Sequence, residues 1–69
     1  MVEIFRTDIR DGAQADLVLQ LLNEQWPEYL VNFDLEDCDK ILRVESPFVE
    51  NEGIISFMKG RGYACETLS

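Results

Sequence analysis

Between Val31 and Glu45 the chain reads Val-Asn-Phe-Asp-Leu-Glu-Asp-Cys-Asp-Lys-Ile-Leu-Arg-Val-Glu, and no other stretch constrains the fold as strongly. Val31, Phe33 and Leu35 alternate with Asn32, Asp34 and Glu36, the period-two signature of a strand with one buried face. Leu42 and Val44 resume the alternation after a polar segment, which predicts a β-hairpin closed by a loop of about four residues around Cys38. Placing Leu35 opposite Leu42 puts Phe33 opposite Val44 and draws one apolar strip across the ribbon. A lone hairpin is marginal in water, so the rest of the chain must cover that strip.

Two helical patterns flank the hairpin. Residues 13–25 are good helix formers, and Ala15, Val18, Leu19 and Leu22 recur at helical spacing, with Leu17 and Leu21 widening the stripe. Pro27 stops this helix, and Trp26 and Tyr29 are placed to pack around the turn into the hairpin at Leu30 or Val31. On the other side Ile54, Ile55, Phe57 and Met58 give a second apolar face that ends at Gly60-Arg61-Gly62. Ser46-Pro47 has the form of its N-cap and first turn, and a start nearer Glu50 fits as well.

Short strand-like segments close the chain at both ends. In Val-Glu-Ile-Phe-Arg-Thr, residues 2–7, the aliphatic pair Val2 and Ile4 marks the expected core side, which leaves Phe5 on the other. Residues 63–68 make a last strand at a sheet edge. The order is β-α-β-β-α-β in a chain of 69 residues, which predicts an α+β, ferredoxin-like single domain over residues 1–69: two helices on one face of a four-stranded antiparallel sheet. Right-handed crossovers put the first and third strands in the centre and leave one sheet face open.

Composition narrows function by exclusion. Fourteen Asp and Glu against six Lys and Arg give a net charge of −8, which repels phosphate backbones and anionic membrane surfaces, so neither nucleic acid nor membrane is expected as a partner. The absence of histidine removes the commonest general base and metal ligand. No nucleophile with a base and no phosphate-cradling glycine loop can be assembled, so the chain reads as noncatalytic, without a cofactor. Neither a signal-peptide pattern nor a span of about 20 apolar residues is present, and a soluble cytoplasmic protein is expected.

With strand, loop, apolar helix, acidic hairpin, short second helix and Gly62-Tyr63 before the last strand, the chain resembles the heavy-metal-associated domains of copper chaperones and metal-transporting ATPases. The resemblance covers nearly the whole chain and implies their fold. It breaks at the metal loop. Where that family carries Met-x-Cys-x-x-Cys, this chain has Ile9-Arg10-Asp11-Gly12-Ala13-Gln14. Asp11 and Gln14 would stand in place of the two cysteines as hard oxygen donors, unsuited to a soft monovalent ion that prefers sulfur.

Asp11, Cys38 and Cys65 remain as the weak metal candidates. Asp8, Asp11, Glu36, Asp37 and Asp39 are expected at the same end of the sheet, where a hard divalent cation would find oxygens. Cys38 and Cys65 fall three strand spacings apart in the assumed order, about 14 Å, too far for a disulfide. The open face, expected to carry Phe5, Ile41, Arg43 and Glu45, and the edge strands are the candidate surfaces for a protein partner or self-association.

Overall fold

In the computed structural model, which describes residues 1–68, the chain runs β1 (Val2–Thr7), α1 (Gly12–Gln25), β2 (Leu30–Asp34), β3 (Ile41–Glu45), α2 (Asn51–Gly60) and β4 (Cys65–Thr67). The strands form one antiparallel sheet in the order β2-β3-β1-β4. β1 and β3 lie in the middle, β2 and β4 at the edges. Phe5, Leu42 and Val44 from the sheet join Ala15, Val18 and Leu22 of α1 and Ile54 and Met58 of α2 in one core. No helix is long and apolar enough to cross a membrane among the described residues.

Local chemistry sets the helix ends. Asp11 caps α1, its Oδ1 accepting from the Gln14 amide at 2.9 Å, while Gln14 Oε1 accepts from the Arg10 amide at 2.9 Å. Two amides that the helix cannot satisfy are thereby paired, a variant of the reciprocal capping box. Pro27 follows the last turn, and the Trp26 amide donates to Leu22 O at 2.8 Å. At the end of α2 the Tyr63 amide donates to Met58 O and the Gly62 amide to Lys59 O, both at 3.0 Å, with Gly62 at φ +87°. This is a Schellman closure, and it explains the Gly62-Tyr63 pair: only glycine takes the left-handed position without strain.

Three expectations are corrected, and one choice left open is decided. The hairpin pairs Phe33 with Leu42 and Val31 with Val44, two residues away from the register expected from a four-residue loop. The connection is longer, residues 35–40, because Asp34 Oδ1 accepts from the Glu36 amide (3.2 Å), Asp37 Oδ1 from the Asp39 amide (2.8 Å), and Lys40 takes φ 49°. A shift of two preserves the buried face, so the apolar strip survives the change.

The faces of β1 are exchanged. Phe5 and Thr7 are buried, whereas Val2 and Arg6 are exposed and Ile4 is half-buried. Directly opposed residues share a face, and Phe5 pairs with the buried Leu42; the alternative would have turned the Arg6 charge into the core. Thr7 is tolerated inside because its hydroxyl donates to Lys40 O at 2.6 Å and accepts from the Ile9 amide at 3.3 Å. The open face therefore carries Ile4, not Phe5, beside Ile41, Arg43 and Glu45.

Helix α2 begins at Asn51 with Glu50 at its N-cap, the later of the two starts the sequence left open, rather than at Ser46-Pro47. Ser46 is buried and extends the sheet, its amide donating to Met1 O at 3.1 Å, and Val49 fills the core before the helix starts. Lastly, Leu17 is exposed rather than part of the buried stripe, whose fully inward members are Ala15, Val18 and Leu22.

Candidate functional site

The candidate metal residues lie at the end of the sheet where β1 runs into α1. Asp11 is committed to the α1 cap, and Gln14 to the Arg10 amide. Ile9 is fully buried. Asp8 accepts from the Ala64 amide at 2.9 Å, tying the first loop to the approach of β4. Each polar side chain in the loop except Arg10 thus holds backbone at the place where a metal loop would turn its donors outward.

The expected acidic assembly is divided. Among the described residues, the group of acids and thiols close enough to share an ion is Asp37, Cys38 and Asp39, whose ligand atoms lie within 4.8 Å of one another. Asp8, Asp11 and Glu36 do not join it. Arg6 holds Asp39, Nε to Oδ1 at 3.2 Å, and reaches Glu66 with Nη1 to Oε1 at 2.7 Å. Asp37 is turned onto the Asp39 amide.

Cys38 is exposed and Cys65 buried, and both are free thiols. The Thr7 amide donates to Asp39 O at 3.1 Å, while Cys65 pairs with Thr7 from the other side. The hairpin turn is therefore two strand spacings from Cys65, about 10 Å, rather than three. That correction follows from the long loop, which carries the turn alongside β1. The span still exceeds the reach of a disulfide. Burial pushes the Cys65 thiol up to about 11, with Lys59 acting to lower it and Glu66 to raise it. A thiol so far from ionisation at neutral pH is a poor nucleophile and a poor metal ligand. It lies under a cleft of about 430 Å³ whose charged lining includes Arg6, Lys59, Asp8 and Glu66.

The opposite end of the sheet has the reverse character. Leu30 and Val2 flank Glu45 from the two neighbouring strands, Met1 O accepts from the Ser46 amide, and Phe48 follows two residues on. Leu30 is 68 % and Phe48 69 % exposed, and Met1 and Val2 are exposed with them. Of the large apolar side chains left to solvent, only Leu17 lies elsewhere among the described residues. Leu30 was legible in the sequence, since it falls out of phase with Val31, Phe33 and Leu35; Phe48 carried no such signal. Compared with known proteins, the chain matches no family model, no curated protein and no solved structure.

Proposed function

We propose that the chain is a noncatalytic protein-interaction or regulatory module, a ferredoxin-like relative of the heavy-metal-associated domains whose metal loop has become structural. The observation that carries this reading is the gathering of Met1, Val2, Leu30 and Phe48 at the end remote from the first loop. Exposed apolar groups gathered at one end of a small protein are the natural candidates for a contact surface. Kinship with the metal domains is supported by the element order, by the buried Ile9 and by the Gly62-Tyr63 closure. The loss of metal function is supported by Asp11, Gln14 and Asp8, whose acceptors are engaged by the backbone.

Cross-linking in lysate of the native cell tests the module. One or more proteins are expected to attach to the unmodified chain and to be lost with Leu30→Glu, an exposed substitution that leaves the core intact. Absence of any saturable partner, or capture indifferent to Leu30→Glu, would sink the reading. The Asp37-Cys38-Asp39 group keeps metal binding as a second reading, in which Asp11 and Cys65 take no part. Titration with Zn(II), Cu(I) or Ca(II) is expected to leave the amide resonances of residues 37–39 in place; a saturable shift there would favour the metal reading instead.

A further inference from the structure

Phe48 borders a groove of about 440 Å³ lined also by Trp26, Glu28, Tyr29, Pro47 and Glu50, among others. Its floor is aromatic and ordered: Trp26 and Tyr29 stack at 5.6 Å with 4° between their planes, and outside the groove Phe57 supports Trp26 edge-on at 5.5 Å. The Tyr29 hydroxyl accepts from the Glu50 amide at 2.9 Å, which fixes the wall between α1 and α2. Phe48 stands almost free at the rim.

The charged side chains on this lining are Glu28 and Glu50, and among the described residues no basic side chain joins them. The chain's cations lie elsewhere. Arg6, Arg10, Lys40 and Lys59 belong to the first-loop end, Arg43 to the middle of β3, and Arg61 turns back onto Phe57, its Cζ 3.8 Å from the ring centre. Helix α1 also ends at Trp26 with no basic residue in its last turn, and a helix C-terminus favours a nearby cation.

We infer that this groove receives an arginine side chain from a basic, apolar segment of a partner protein. The inference rests on the interaction-module reading and names the chemistry of its partner. A guanidinium stacks on aromatic faces while pairing with carboxylates, and its alkyl stem covers apolar wall. Leu30, next in the chain to the groove residue Tyr29, is exposed as well, and a peptide chain can cover it where a free cation cannot. A second copy of this protein is disfavoured as occupant because it too carries −8.

Trp26, the sole tryptophan, reports on the site. Titration with the peptide Leu-Arg-Leu-Arg-Leu-Arg is expected to change its emission saturably and to move the amides of residues 26–30 and 46–50. Glu28→Lys and Phe48→Ala, both at exposed positions, should each weaken binding about tenfold. Glu36→Lys, the same charge change at the other end, should alter it less than about twofold.

Equal loss with Glu36→Lys would reveal general attraction to an acidic protein and overturn the inference. So would absence of binding, full displacement of the peptide by tetramethylammonium, or a concentration-dependent dimer by sedimentation. A lysate partner that needs Leu30 but ignores Glu28→Lys and Phe48→Ala would defeat the arginine site while leaving the module standing. Absence of any saturable lysate partner of the unmodified chain, together with absence of peptide binding, would defeat both.

Discussion

The two ends of the sheet are built from the same kinds of residue and treat them oppositely. At the first-loop end Ile9 is fully buried, Asp8 and Asp11 accept backbone amides, and Arg6 bridges Asp39 and Glu66. At the other end Leu30 and Phe48 face solvent beside Glu28, Glu45 and Glu50. One end closes on itself through satisfied polar groups. The other leaves apolar area and carboxylates outside, which is where a partner gains most by covering them. A family resemblance directs attention to the first end; the geometry redirects it to the second.

Ile9→Ala should break the closed end most severely, at about 3 kcal/mol, because it opens a cavity in the core. Urea unfolding measures it, and a loss under about 1 kcal/mol would mean that the first loop is not part of the core. Next comes the pH response of Cys65. Between pH 9.0 and about 11 the unfolded chain has released a proton that the folded thiol still holds, so stability falls as pH rises through that window. Cys65→Ala should remove that part of the fall, and iodoacetamide at pH 8 should label Cys38 well before Cys65.

Smaller effects follow from the helix ends. Asp11→Ala removes a cap and should cost about 1 kcal/mol, and Gly62→Ala should cost a similar ~1 kcal/mol through its left-handed backbone. At the open end Phe48→Ala should change stability by less than about 0.5 kcal/mol. A large loss there would erase the contrast, since it would make Phe48 a structural residue rather than a contact one.

Much of the architecture was legible because period-two and period-3.6 patterns are local. The hairpin, both helices, the closing strand and the turn at Gly62 could all be read from spacing and from the conformational preferences of Gly and Pro. The faces of β1 were misread because Val2 and Ile4 outweighed Phe5 in a count of apolar groups, although Arg6 shared their side. Cross-strand pairing with Leu42 decides that face, and pairing is not local. The site was less legible than the fold. Asp11 and Gln14 look like substituted metal ligands in the sequence, and only their hydrogen bonds make them a helix cap.

The sequence by itself determined the order of elements, the buried face of the hairpin, the absence of imidazole chemistry and the acidic charge, since each depends on residue type and short-range spacing. Tertiary structure decided the register, the inward turn of Phe5, the dispersal of the expected acidic cluster and the gathering of Leu30 and Phe48 beside an aromatic, carboxylate-lined groove. Those outcomes join residues far apart in the chain, where packing and hydrogen-bond satisfaction select one arrangement among several that the local pattern allows.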